Sequence, residues 1–425
     1  MISVKEFKER RTKLYNQLDD HSMLILFAGE AKKKSYDENY TFFANRNFYY
    51  LTNIEQENSI LVVIKSDGIV SEYLFISEYD EVKEKWTGKR LTSEEATKLS
   101  GINNILFLNT FEAQIDLFLN KNSHVFGSFN TIYLDMEKEQ KVLNNTTIDE
   151  VKEKFMNKYN IESFKDIYSE IMNLRWIKSV QEIEEMKEAI SKTNLGINAL
   201  LKKLEPGYYE YQLSSLFYYT IQDLDFSELA FSTICASGVN GTILHYPTPL
   251  KKIENDELVL FDLGAKHNGY NADISRTFPA NGKFNDLQRM IYNIVLECNK
   301  LVIKSVKPGL SLIDLNNIAK EFLADRCYQL GLIKSRDEIS KVYYHSVSHH
   351  IGLDTHDPID RNRPLVAGNV ISDEPGLYFK DLGIGIRIED DLLITEDGCY
   401  VLSGNIIKEI NDIEKAMIVG RNYEI

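Results

Sequence analysis

At 425 residues, 43% of them hydrophobic, the chain exceeds what one hydrophobic core usually organises, so two domains with a single boundary are expected. Its 64 acidic against 49 basic residues, a formal charge of −15, argue against a nucleic-acid partner, whose phosphates need a basic face. No apolar run approaches the ~20 residues of a membrane span, the first residues lack the apolar stretch of a signal peptide, and Cys235, Cys298, Cys327 and Cys399 form no Cys-x-x-Cys pair; a cytoplasmic location, reduced thiols and no membrane partner are expected.

In chain order, Met23 to Phe27 and Ile60 to Ile64 read as strands, and Ile148 to Asn160 as an amphipathic surface helix with Ile148, Val151, Phe155 and Tyr159 on one side. Residues 1–171 therefore read as an α/β domain, and 172–425 as a second domain. Near its start, Ser179 and Glu182 have the spacing of a capping box, and the helix they open carries Val180, Ile183, Met186 and Ile190 before stopping at Pro206-Gly207. A faint repeat follows. Leu204-Glu205-Pro206-Gly207 precedes Leu213 and Leu216, and Val306-Lys307-Pro308-Gly309 precedes Leu315 and Ile318 at the same offsets. Hairpin-like segments come after each copy, at Leu258 to Phe278 and at Val370 to Ile394. Two such halves predict a pseudo-symmetric α+β domain whose strands face one cleft.

Each hairpin carries acids where a half-buried strand favours apolar residues. Asp262 closes Leu258-Val259-Leu260-Phe261, and Asp273 follows a Gly-rich turn; the second hairpin holds Asp373 and Glu374, then Glu389, Asp390 and Asp391. An acid ending an apolar strand is costly unless paired or bound to a cation. Alternation sets Arg387 and Glu389 opposite Ile384, Ile386 and Ile388, and leaves Asp391 as good a candidate as Glu389. Six of the eight histidines lie between His245 and His356, with His345, His349, His350 and His356 densest. Four carboxylates and one imidazole can hold two divalent cations such as manganese or cobalt, which lower the pKa of a shared water, and further histidines can polarise a carbonyl. His21, His124 and His267 stand apart in polar or turn-like surroundings, and His350 is expected to line the cleft beside a stronger candidate.

These motifs resemble the pita-bread metallopeptidases, and within them the aminopeptidase P and prolidase branch, over nearly the whole chain. The family's ligand series of Asp, Asp, His, Glu and Glu matches Asp262 in Phe-Asp-Leu-Gly, Asp273 in Asn-Ala-Asp-Ile-Ser-Arg-Thr-Phe, His349 in Ser-His-His-Ile-Gly, Glu374 in Asp-Glu-Pro-Gly-Leu-Tyr and Glu389 in Ile-Arg-Ile-Glu-Asp-Asp. The resemblance selects Glu389 over Asp390 and Asp391. It implies two divalent ions, manganese first and cobalt or zinc as alternatives, bridged by Asp273 and Glu389, with Asp262 on one ion and His349 with Glu374 on the other. It further implies that His245 and His356 stabilise the reacting carbonyl, that His345 lines the substrate pocket, that Arg387 supports the site, and that Glu374 relays a proton from a metal-bridging hydroxide to the leaving proline nitrogen.

In the first domain, Asn45, Phe48, Tyr50 and Thr52, and then Asp80, Glu84, Trp86, Gly88 and Arg90, are similar to segments of the aminopeptidase P branch, where the tryptophan reaches a neighbouring subunit's site. A homodimer or homotetramer with Trp86 at the substrate is implied. Asn47 stands where relatives often carry Asp, Asp373 where they carry an apolar residue, and the stretches from Tyr378 to Gly383 and from His356 to Arg361 are short. The implied activity is release of the N-terminal residue from peptides with proline second. A prolidase restricted to dipeptides, and a peptide-binding module without metal, are the alternatives.

Overall fold

A computed structural model describes residues 1–119, 126, 129, 131–136, 141–143, 146–159, 161, 163–224 and 227–422; His124 lies outside these. The chain forms two compact units, Ile2–Arg175 and Trp176–Ile425. That division lies within the helix Tyr168–Trp176, as does the boundary expected near residue 172.

The N-terminal unit is built on a six-stranded mixed sheet in the order Ile105–Phe107, Ile69–Ile76, Ile60–Ser66, Ser22–Phe27, Thr131–Leu134, Phe164–Asp166. The three strands Ser22–Phe27, Ile60–Ser66 and Ile69–Ile76 pair antiparallel and the outer pairings are parallel. Because successive side chains alternate between faces, Met23, Ile25 and Phe27 meet Ile60, Val62 and Ile64 on one side. Helices Phe111–Leu119 and Ile148–Tyr159 cover that side with Phe111, Ile115, Phe118, Ile148, Val151 and Phe155, the stripe expected of the second helix. Asn47 is buried between two charged partners, donating to Asp135 Oδ2 at 2.8 Å and accepting from Arg175 Nη1 at 2.9 Å. The amide does both, which an ionised aspartate in its place could not, since a carboxylate only accepts.

The C-terminal unit shows the repeat in its backbone. Helix Val180–Lys203 opens with the Ser179/Glu182 capping box, and helix Asp286–Ser305 with an equivalent box from Asn285 and Gln288. Each stops at a residue turned to extended backbone, Leu204 and Val306, followed by Pro-Gly. Gly207 and Gly309 sit at φ +103° and +92°, a region that a Cβ disfavours, and their N–H groups donate to the carbonyls of Ile253 and Leu365 at 2.9 Å each. A second helix then begins, Glu210–Leu224 in one half and Leu312–Gln329 in the other. The strands follow: Ile234–Ser237, Leu258–Leu263 and Ile274–Pro279 form one antiparallel sheet, while Val370–Asp373, Asp390–Ile394 and Cys399–Val401 form another, with Gly376–Phe379 and Ile384–Arg387 as a separate ribbon. The four cysteines are free. His267 is the last residue before a tight turn at Asn268-Gly269, with its ring between Lys192 and Glu185.

Candidate metal centre

The strand positions of the acids follow from register. Asp262 is the only incompletely buried residue of Leu258–Leu263 and lies opposite Ser275, while Asp273 directly precedes the strand Ile274–Pro279. Glu374 and Glu389 occupy the two points where the chain leaves one sheet for another, between Val370–Asp373 and Gly376–Phe379 and between Ile384–Arg387 and Asp390–Ile394. Glu389 N–H donates to the Ser275 carbonyl at 3.0 Å, and Glu374 N–H to that of Val347 at 2.8 Å, so backbone bonds fix both bends. The halves also meet at the 3₁₀ turn Gly238–Thr242, which packs so tightly on Ile384–Arg387 that a Cβ on Gly385 would fall 1.9 Å from the Gly241 carbonyl oxygen.

All nine candidates of this unit line one cleft together with Leu244: Asp262, Asp273, His349, Glu374, Glu389, His245, His345, His356 and Arg387. Ligand-capable atoms of Asp262, Asp273 and Glu389 lie within 4.8 Å of one another, as do those of His349, Glu374 and Glu389, and those of Asp273, His349 and His356. His349 Nδ1 is 3.1 Å from the His350 carbonyl, which can only accept, so the hydrogen sits on Nδ1 and the Nε2 lone pair faces the acids. That Nε2 is 3.4 Å from Asp273 Oδ2, 3.5 Å from Glu374 Oε1 and 3.9 Å from Glu389 Oε1.

Burial, then the charges of Asp262 and Asp391, hold Asp273 well above the usual carboxylate range, and burial with Asp273 and Glu374 does the same to Glu389. Burial also lifts Glu374, although His349 and Arg387 pull it back. His345 is lowered to about 3 by burial and then by Arg387, and His356 to about 4 by burial and then by His349, so both are neutral at pH 7. Divalent cations fit this site. The four carboxylates face one guanidinium, the buried Asp262 Oδ1 has no protein partner, and an imidazole already presents its free nitrogen.

Asp390 and Asp391, the neighbouring candidates to Glu389, do not line the cleft. Asp390 is fully buried against Arg276 at 2.8 Å and Lys408 at 2.6 Å, and these cations outweigh burial and lower its pKa. Asp391 Oδ2 accepts from Asp273 N–H at 3.3 Å and so anchors a ligand's backbone. His350, expected in the cleft, is instead 1% exposed behind it, because the bridges of its backbone to Asp357 and Ile371 turn its ring inward. Trp86 belongs to the N-terminal unit, on the short helix Glu81–Thr87, and is 86% exposed. Asp80 caps that helix and Glu84 accepts from Arg90 N–H at 3.0 Å, so the acids around Trp86 frame its presentation.

The model of metallopeptidase family M24 matches residues 184–396, and that of the aminopeptidase P N-terminal domain residues 7–126. The chain belongs to metallopeptidase family M24. It is a hydrolase of the aminopeptidase P group, with the pita-bread fold preceded by the smaller α/β domain. The Xaa-Pro aminopeptidase of Escherichia coli K12 is 32% identical over 99% of both chains. A solved Bacillus anthracis chain, provisionally named an aminopeptidase P, is 43% identical with a TM-score of 0.94, covering 99% of each chain. Zinc-substituted E. coli aminopeptidase P in complex with product is 30% identical with a TM-score of 0.91 at the same coverage.

Two residues of this M24 site escaped the sequence reading. Tyr378 hydroxyl is 2.8 Å from His345 Nε2 and accepts from Arg387 Nη1 at 3.1 Å; since His345 Nδ1 donates to the Ser346 carbonyl, Nε2 is the acceptor from Tyr378. Arg387 Nε donates to Ser275 Oγ at 2.7 Å, and Ser275 in turn to Glu389 Oε2 at 2.7 Å. The available signals were the pairing of Gly376 to Phe379 with Ile384 to Arg387, which sets Tyr378 near Arg387, and the serine two residues after Asp273. A larger cavity of about 590 Å³ lies in the N-terminal unit; two of its charge pairs meet each other, Lys154 with Glu112 at 2.6 Å and Lys83 with Asp80 at 3.7 Å, and among its described lining residues there is no histidine or cysteine.

Proposed function

We propose that the chain releases the N-terminal residue from peptides whose second residue is proline. Asp262, Asp273, His349, Glu374 and Glu389 would hold two divalent ions, manganese first and cobalt or zinc as alternatives. The observation that carries this reading is the convergence of four carboxylates and one oriented imidazole on a cleft with a single guanidinium. Asp273, Glu389 and His349 each belong to two of the close ligand groups, and of the three only the carboxylates have a second oxygen to offer another ion. When bound, such ions supply a water acidic enough to furnish hydroxide at neutral pH.

The chain's own residues do the rest. His245 and His356 lie along the cleft where a carbonyl oxygen gathers charge, and His356, neutral at pH 7, can donate a hydrogen bond to it. The proline nitrogen carries no hydrogen in the peptide and must be protonated as it leaves; Glu374, with one oxygen facing His349 and the other 3.7 Å from His345 Nδ1, holds that proton. Arg387 keeps Asp262 and, through Ser275, Glu389 in place. Trp86, exposed beside Val82 at 65%, would complete the substrate pocket of a neighbouring copy in a homodimer or homotetramer. Free cysteines suit a cytoplasmic setting.

Metal-stripped protein should release alanine from Ala-Pro-Ala only after manganese is added. Cleavage of Ala-Pro alone would make it a prolidase, and no cleavage of either with several metals would leave a binding module. Glu374→Gln should lower kcat by roughly a thousandfold or more, the scale of a lost acid–base group with a lost ligand; retained turnover would remove Glu374 from the proton path.

A further inference from the structure

We propose that Glu210 is the positioning residue for His245, clamping the irregular segment that carries this histidine to the rest of the unit. Glu210 is the first residue of helix Glu210–Leu224 and is completely buried, yet among the described residues no lysine or arginine side chain pairs with its carboxylate. Five donors meet it instead. Oε1 accepts from Ser237 N–H at 2.7 Å, Ser237 Oγ at 2.8 Å and Asn240 Nδ2 at 3.1 Å, and Oε2 accepts from Tyr246 hydroxyl at 3.1 Å and Lys251 N–H at 3.0 Å. Asn240 Nδ2 also donates to Tyr246 hydroxyl at 2.9 Å, which closes the ring.

Every one of these donors lies between Ser237 and Lys251, and Tyr246 directly follows His245. After the 3₁₀ turn Gly238–Thr242 this segment has no regular secondary structure until Lys252, and His245 is exposed, so no ladder sets the backbone beneath its ring, whose neighbours Leu244 and Tyr246 rest on the small core of Ile234, Ala236, Leu260 and Tyr378. The clamp supplies what the missing secondary structure would have. Its place in the repeat supports a task beyond folding. Three residues after Gly207 comes Glu210, whereas three after Gly309 comes Leu312, whose helix is capped locally by Ser311 and Asp314. In that half Asn316, on the same helix, accepts through Oδ1 from Tyr343 hydroxyl at 2.8 Å and Val347 N–H at 3.1 Å, on either side of His345.

This inference rests on His245 acting at the reacting carbonyl. An ångström of misplacement in a group of that kind can cost on the order of a hundredfold in rate. The test compares manganese-loaded wild type, Glu210→Gln, His245→Ala and the double variant on Ala-Pro-Ala, with metal content and Tm measured alongside. Glu210→Gln keeps the shape but turns an amide toward Lys251 N–H, and should lower kcat by about tenfold or more with KM within about twofold and metal content unchanged. In the His245→Ala background the same change should cost less than about twofold, because a clamp has nothing left to aim. Tyr246→Phe, which removes one bond and keeps the fold, should give a smaller kcat loss that also vanishes in that background. Multiplicative losses, or an unchanged kcat in Glu210→Gln, would overturn the clamp while leaving His245 in its role. A His245→Ala enzyme as fast as wild type would overturn the role of His245, and the clamp with it.

Discussion

Two buried acidic clusters lie side by side in the C-terminal unit and differ in how their charge is met. In the first, Asp390 has its own cations, Arg276 and Lys408, while Asp373 and Asp391 beside it are raised by burial and take neutral donors: Asn299 Nδ2 donates to Asp373 Oδ2 at 3.0 Å and to Asp390 Oδ2 at 3.2 Å, and Asp273 N–H to Asp391 Oδ2 at 3.3 Å. Among the described residues, Asp262, Asp273, Glu374 and Glu389 share one guanidinium, that of Arg387. Sequence neighbours such as Glu389 and Asp390 therefore belong to opposite electrostatic regimes, one completed by the protein and one left for ions. Buried acids mark a ligand site only where the chain omits the countercharge.

The contrast breaks if the two clusters respond alike. Asp390→Asn should cost about 3–5 kcal/mol of stability, since two buried cations lose their partner, while manganese bound per folded molecule stays unchanged. Glu389→Gln should do the reverse, abolishing high-affinity manganese binding while leaving the ion-free protein as stable as wild type or more so. Denaturant titration with and without manganese checks both, and matching profiles would erase the distinction.

A smaller effect sharpens it through pH. Because Asp273, Glu374 and Glu389 are raised in the ion-free fold, their share of its stability is present below the unfolded value near 4 and is lost as pH climbs through the folded value. Ions bind the ionised carboxylates and release protons. The gain in unfolding free energy from manganese should thus grow from pH 5 to pH 8, starting from roughly 2.7 kcal/mol at a hundredfold excess over Kd; an equal gain at both would contradict the uncompensated charge. The smallest effect concerns His350, which burial and then Lys178 lower to about 3 and whose ring nitrogens have no protein partner. A depressed histidine contributes stability above its unfolded pKa of ~6.5 that is lost as pH falls toward the folded value. His350→Phe should change stability by less than about 1 kcal/mol at pH 7 and should lessen the loss between pH 6.5 and 4, which Tm against pH would show.

The repeat was legible in the sequence because Pro-Gly is read from backbone rules: Gly207 and Gly309 both need a φ that other residues avoid. Strands and the capping box at Ser179 were legible for the same local reason. Choosing among Glu389, Asp390 and Asp391 was not, since the countercharges that decide it, Arg276 and Lys408, lie far along the chain. His350 was misread because adjacency to His349 says nothing about which side of a bridge a ring takes. Tyr378 and Glu210 were missed because neither stands beside a recognised ligand; each acts through partners brought close only by folding.

The seam at Gly385 sets where this site can vary over generations. Any side chain there would meet the Gly241 carbonyl, so substitution cannot reshape the junction of the halves. Val239, Ile243 and Leu382, exposed in and beside the two turns that flank it, carry no such restriction. Heritable change in peptide preference thus has an open route around the rim, while the distance between the two acid-bearing hairpins stays inherited as one fixed length.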